Sequence, residues 1–231
     1  MTHITGAPIN AYTWTLGGIS IYAFTIKSYL NYQRSKNPLA RIYTLLGLTF
    51  ATGLLMYGLP ALITQNAHLL RYTYFSADAF VQVALQLGIW LLWFIGLRIH
   101  FSLKYMLALT IPISVATMVI EVLTSKVYVS QSPHLVIYTD KFPVLLLKSI
   151  LYIIVAFPLA YFLLKQVPNQ TNLRAKFQSF ISGIIFIIIS VAATSNNIFD
   201  KGSDTVQSST DLAIFFAIFL LAQLPRRVKR P

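Results

Sequence analysis

Hydrophobic residues are concentrated in seven long runs, separated by short stretches that hold most of the charged residues. A run of about 20 mainly apolar residues can cross a bilayer core, and it must be helical because lipid offers the backbone no hydrogen-bond partner. The pattern therefore predicts an all-α polytopic membrane protein with a single seven-helix transmembrane domain over residues 1–231. The predicted helices are Ala11–Asn31, Arg41–Ile63, Tyr72–Leu97, Tyr105–Thr124, Phe142–Leu164, Phe177–Ser195 and Val206–Leu224.

Lysine and arginine are unevenly divided between the two sides of this predicted bundle. With the N-terminus outside, thirteen of them fall in the inner loops and the C-terminal tail, and four fall in the outer loops. Basic residues favour the cytoplasmic side, so the distribution predicts an N-out, C-in protein of a bacterial cytoplasmic membrane. The net charge of +12 then reflects membrane topology, and we expect no binding of nucleic acid.

Composition narrows the chemistry further. The chain is 56% hydrophobic and only 10% charged, and it contains no cysteine, which excludes disulfides, thiolate metal sites and thiol catalysis. No nucleophile–base pair, cofactor motif or metal-ligand spacing is recognisable. The sequence therefore predicts a protein that is not an enzyme and that holds neither cofactor nor metal.

Polar residues recur at helical spacing inside two of the predicted helices. In the third helix they follow at every fourth position: Tyr74, Asp78, Gln82 and Gln86. In the fourth helix the corresponding series is Thr110, Ser114, Thr117 and Glu121. Each series lies along one helix face, and a polar face is costly against lipid, so both faces are expected to point into the bundle.

Three ionisable residues, Asp78, Glu121 and Lys148, are predicted to lie at a similar depth near the outer boundary. Ionisable side chains within membrane segments are candidates for function. This placement predicts an outward-facing polar cavity for a small molecule or a lipid, although a structural ion pair and a proton or ion pathway explain the same residues. The candidate ligand-binding residues are Tyr74, Asp78, Gln82, Thr117, Glu121, Lys148, Tyr152 and Asn197.

The stretch Ala40–Glu121 resembles the seven-helix sensory region at the N-terminus of some bacterial histidine kinases. The resemblance rests on the following residues: Leu45, Leu46 and Gly47 in the second helix, Arg71 before the third, and Trp90, Trp93 and Phe94 within it. Those proteins continue into a kinase or cyclase domain, whereas this sequence stops seven residues after Leu224. The resemblance therefore implies a sensor whose output passes through a separate cytoplasmic or membrane partner.

The leading prediction is a stand-alone, receptor-like sensor module that sits in the lipid bilayer and binds a small ligand or lipid in the polar cavity. A small transporter or channel-like protein could use the same cavity. A non-catalytic structural subunit of a membrane complex is the third alternative. A transporter should continue its polar path to the inner side, and the two stripes extend inward only through Gln86 and Thr110.

Overall fold

The computed structural model describes residues 7–92, 103–131, 134–139, 142–173, 176–177, 179–181, 183–188 and 191. This part of the chain is mostly helical and includes one antiparallel β-hairpin. In chain order the elements are α1 (Ile9–Ser35), α2 (Pro38–Ile63), α3 (Ala67–Leu92), α4 (Leu103–Thr124), β1 (Lys126–Gln131), β2 (His134–Thr139) and α5 (Phe142–Gln166).

The helices begin and end at polar residues just beyond the apolar runs. Lys36 ends α1 in the left-handed conformation, with φ 51°, and its backbone N–H donates to the Tyr32 carbonyl over 2.7 Å. Pro38 opens α2, where its missing N–H costs nothing. Asn66 caps α3 by accepting the His68 N–H at 2.9 Å on its side-chain oxygen. Such caps explain why α3 starts five residues before the predicted Tyr72.

Helices α1 and α2 are antiparallel and approach closely at small residues. A methyl group at Gly58 would lie 2.6 Å from the Thr15 backbone nitrogen and 2.8 Å from the Ala11 carbonyl oxygen. Further along the contact, a methyl group at Gly18 would lie 3.1 Å from the Ala51 carbonyl oxygen. Small residues thus let the two helices pack closely. We define the α1–α2 contact by four residues: Thr15, Gly18, Ala51 and Gly58.

The segment between α4 and α5 differs from the prediction. The predicted helices leave it as a connection between Thr124 and Phe142, but its two halves form strands in register, with Val129 opposite Val136 and Tyr128 opposite Ile137. The signal was present, because β-branched and aromatic residues fill both halves on either side of Ser132 and Pro133. The fold is therefore helical with a β-hairpin and not all-α.

The prediction of seven membrane-spanning helices is wrong. Within the described residues one helix, Ala40–Ile63, is long and apolar enough to cross a membrane, and apolar stretches such as Val115–Thr124 are too short. The run over α1 is interrupted by threonine, serine and lysine, and the run over α3 by Asp78 and two glutamines. These side chains make both runs less apolar than that of α2. The predicted seventh helix, Val206–Leu224, lies outside the described residues.

Apolar clusters lie at both ends and in the middle of the helical unit. One joins Ile42 of α2 to Leu87 of α3, and a second joins Ile21 of α1 to Leu54 of α2. The third lies at the opposite end from Ile42 and combines Ala11, Ala61 and Leu70 with Val136 of the hairpin. The hairpin thus packs on the end of the unit where α1 and α3 begin and α2 ends.

Candidate functional site

The polar face of α3 lies inside the structure, as the spacing predicts. Tyr74, Asp78, Gln82 and Gln86 are 7%, 4%, 2% and 7% exposed, respectively. Large apolar residues are exposed instead on the outer faces of the helices, including Leu48 of α2 and Phe80 of α3. The buried polar side chains are the more informative observation, because polar residues are rarely buried without partners.

The Asp78 carboxylate is held by two neighbours from different helices. The Tyr57 hydroxyl of α2 donates to Asp78 Oδ1 over 2.9 Å, and Gln82 Nε2 of α3 lies 3.4 Å from Asp78 Oδ2. Tyr57 can reach across because Gly53, one turn earlier, brings the two helices together: a methyl group there would lie 2.9 Å from the Ala77 carbonyl oxygen. A hydrogen bond donated to a carboxylate is stronger than one between two neutral groups.

Aromatic rings line the same level of the structure. The Tyr57 ring lies 5.5 Å from that of Trp14 and 5.4 Å from that of Tyr74, centroid to centroid, and Tyr74 lies 5.6 Å from Phe75. These spacings are typical of tilted and edge-on aromatic pairs. The row connects α1, α2 and α3 and fixes the Tyr57 hydroxyl beside Asp78.

Helix α4 adds Thr117 and Glu121, which are 6% and 0% exposed. The Arg71 guanidinium of α3 donates to the Val122 carbonyl near the end of α4 and lies over the Phe75 ring, 5.5 Å from its centroid. Arg71 thus satisfies a carbonyl that the helix itself leaves open and sets a positive charge at the negative end of the helix dipole. This bond fixes the end of α4 that carries Glu121 against the beginning of α3.

We name these residues together the polar layer. It comprises buried or half-buried side chains from three helices: Tyr57, Tyr74, Asp78, Gln82, Thr117 and Glu121. The hairpin lies above it, because Val136 packs on Leu70, eight residues and about 12 Å along α3 from Asp78. The polar layer therefore lies beneath a covered end of the structure.

The remaining candidate residues lie outside this description. Asn197 is not among the described residues, and the same holds for the side chains of Lys148 and Tyr152 on α5. Their neighbour Ser149 is 2% exposed, and its hydroxyl donates to the Leu145 carbonyl over 2.8 Å. The expected approach of Lys148 to Asp78 and Glu121 stays a prediction.

Two residues of the site were missed in the sequence. Tyr57 lies in the apolar helix α2, where its hydroxyl requires a hydrogen-bond partner. That requirement was the signal available in the sequence. Asn10 lies just before the predicted start of the first helix, and no local pattern points to its partner, the Val136 backbone 126 positions away.

Neither metal ligands among the described residues nor similarity to known proteins points to a function. No group of three or more His, Asp or Glu side chains within the described ranges could hold a metal ion. No protein-family model matches the chain, and a search of curated proteins finds no match. The function is therefore inferred from the geometry of the polar layer.

Proposed function

We propose that the chain is a membrane-embedded, receptor-like module that binds a small molecule or a lipid head group at the polar layer. The observation that carries the proposal is the burial of Asp78, Gln82 and Glu121, which are each no more than 4% exposed, inside helices with apolar outer faces. Burying carboxylates and amides is costly, so a buried group of them is a candidate ligand or ion site.

The exposure of α2 supports a membrane location. Only 33% of the most apolar window of Ala40–Ile63 is buried in the structure, whereas the core helix of a water-soluble fold is mostly buried. Leu48 and Leu59 on its outer face are 42% and 45% exposed. Exposing such an apolar surface to water costs about 25 cal/mol per Å², whereas its contact with acyl chains is favourable.

The orientation that we propose places the hairpin end outside the cell. Basic residues cluster at the opposite end, where α1 leads into α2: Lys27, Arg34, Lys36 and Arg41. The positive-inside preference puts that turn in the cytoplasm. A membrane-impermeant maleimide should then label Lys126→Cys in intact cells and leave Asn37→Cys unlabelled. The reverse pattern of labelling would contradict the orientation.

Lysine substitutions on α2 test the membrane location. Leu48→Lys places a charge near the middle of the helix and should lower the free energy of unfolding in lipid nanodiscs by about 3 kcal/mol. The control is Ile63→Lys at the helix end, where the side chain is 86% exposed and the ammonium group can reach the interface. A cost below about 0.5 kcal/mol for Leu48→Lys is what a surface position in water predicts, and it would refute the proposal.

The ligand chemistry follows from what the polar layer offers. Asp78 and Glu121 supply carboxylate oxygens, and the hydroxyl and amide oxygens of Tyr74, Thr117 and Gln82 add further acceptors. The layer therefore favours ligands that donate hydrogen bonds, namely amines and alcohols. A free small molecule and a lipid head group can both carry these groups.

The binding test measures thermal unfolding with ethanolamine, glycerol and phosphatidylethanolamine as probes. A probe at 100 times its dissociation constant stabilises the folded state by about 2.7 kcal/mol. We expect at least one probe to raise the unfolding temperature of the natural chain and to lose this effect in Asp78→Asn. The control Gln33→Leu removes an exposed amide at the far end of α1 and should keep the shift. Equal shifts in the natural chain and Asp78→Asn, or no shift with any probe, would refute binding at this site.

A further inference from the structure

We infer that the β-hairpin is a lid over the polar layer, held closed by the side chain of Asn10. Asn10 Nδ2 donates to the Val136 carbonyl over 2.8 Å, and the Val136 N–H donates to Asn10 Oδ1 over 3.1 Å. The kind of ligand that the lid admits rests on the proposed function. The movement of the lid can be measured without any ligand.

The two bonds, together the Asn10 latch, can hold the hairpin closed because they bind the backbone of β2 directly. Both polar groups of Val136 bond to the same side-chain amide, so Asn10 pairs with the backbone of β2 as one residue of a neighbouring strand would. Asn10 is 1% exposed and Val136 is 0% exposed, so water does not replace these bonds while the hairpin is closed. Loss of the amide would remove both of these buried bonds.

The rest of the hairpin contact is apolar. Val136 forms a cluster with Ala11, Ala61 and Leu70, and half-buried apolar residues of α1, α2 and the hairpin pack against it: Trp14, Leu62, Val127 and Val129. A two-stranded hairpin is marginally stable by itself, so its position depends on these contacts and on the Asn10 latch. Much of the outer side of the hairpin is open to solvent: Lys126 is exposed, and Tyr128 is 47% exposed.

The hairpin is also joined to the polar layer through the chain. Ser125 separates α4 from β1, and its backbone N–H donates to the carbonyl of Glu121 over 2.8 Å. A hinge at Ser125 would disturb the last turn of α4, which carries Glu121. Opening of the lid would therefore expose the polar layer and alter one of its carboxylates in the same movement.

The absence of cysteine from the natural chain makes a direct test of accessibility clean. Thr117→Cys places a thiol in the polar layer, and its reaction with a water-soluble maleimide reports opening in detergent micelles. Adding Asn10→Ala should raise this labelling rate about tenfold, the size expected when bonds worth about 1.4 kcal/mol are lost. Ser35→Cys at the exposed end of α1 should label at one rate in both backgrounds.

Thr13→Ala is the matched control, because its hydroxyl bonds to the backbone carbonyl of Asn10 over 2.9 Å and leaves the amide latch intact. Hydrogen exchange distinguishes lid opening from unfolding. Faster exchange in β1 and β2 with unchanged exchange in α2 supports the lid. Equal acceleration in α2, or a Thr117→Cys labelling rate that Asn10→Ala leaves unchanged, overturns it. An opening lid with no probe binding would refute the proposed function alone.

Discussion

Helix α2 contacts α1 on one side and α3 on the other, and the two contacts handle polar groups in opposite ways. Towards α1, the hydroxyls of Thr15 and Thr25 donate to carbonyls of their own helix, those of Ala11 and Ile21, over 2.8 Å each. Towards α3, the Tyr57 hydroxyl donates across to the Asp78 carboxylate. One neutral bond also joins α1 to α2, between the hydroxyls of Tyr22 and Thr52 at 2.9 Å. The first contact is therefore neutral and set mainly by shape, whereas the second contains a hydrogen bond to a charged group.

The difference explains which contact is suited to function. The α1–α2 contact consists mainly of glycine, alanine and threonine bonded to its own helix, and its Tyr22–Thr52 pair is neutral. It therefore offers no charged group to a ligand, and its role is packing. The α2–α3 contact contains the Asp78 carboxylate. The side chains bonded to it, Tyr57 and Gln82, can be displaced by a ligand group. Three substitutions, in order of decreasing effect, test whether this distinction holds.

The largest effect is expected for Gly58→Ala. The added methyl group would meet backbone atoms of Thr15 and Ala11, which cannot move without shifting α1. We expect the free energy of unfolding to fall by about 3 kcal/mol, the upper end of the cost of overpacking. In the control Gly18→Ala, the nearest atoms at 2.7 and 2.8 Å belong to the Leu55 side chain, and the nearest backbone atom, the Ala51 carbonyl oxygen, lies at 3.1 Å. The backbone is less crowded than at Gly58, so the cost should be about 1 kcal/mol. Similar costs at both positions, measured by denaturant unfolding in micelles, would show that backbone proximity does not govern this contact.

An intermediate effect is expected for Tyr57→Phe, which removes the donor to the Asp78 carboxylate and keeps the ring. Hydrogen bonds to charged groups contribute about 1.5–3 kcal/mol, so we expect a loss of about 2 kcal/mol. Tyr22→Phe is the matched control: its hydroxyl shares a neutral 2.9 Å bond with Thr52 on the α1 side of α2, worth about 0.5–1.5 kcal/mol. A loss for Tyr57→Phe no larger than that for Tyr22→Phe would remove the electrostatic distinction between the two contacts.

The smallest effect is expected for Thr25→Val. The substitution keeps the branched shape against Gly47 and removes only a hydroxyl bonded to its own helix, so the change in unfolding free energy should be within about 0.5 kcal/mol. Thermal unfolding in the same micelles is sufficient to measure it. A loss above about 1 kcal/mol would mean that the hydroxyl contributes to the α1–α2 contact beyond its shape.

The helical periodicity of Tyr74, Asp78, Gln82 and Gln86 was enough to predict that this face lies inside. That inference succeeds because side chains four positions apart share a helix face whatever the rest of the fold does. The existence and rough position of α1 to α5 follow in the same way from their apolar runs. The predicted number of membrane-spanning helices was wrong, because an apolar run predicts burial in protein and contact with lipid equally well. The threonine, lysine and carboxylate residues within a run decide between the two.

The sequence by itself thus determined the helices, the polar face of α3 and the basic end of the structure, since each depends on neighbours within one element. Only the tertiary structure decided which residues meet across elements. Tyr57 reaches Asp78 because Gly53 lets α2 approach α3, and Asn10 binds Val136 because the hairpin folds back over the ends of α1, α2 and α3. Pairings between residues 21 and 126 positions apart depend on how helices pack, and no local spacing in the chain encodes them.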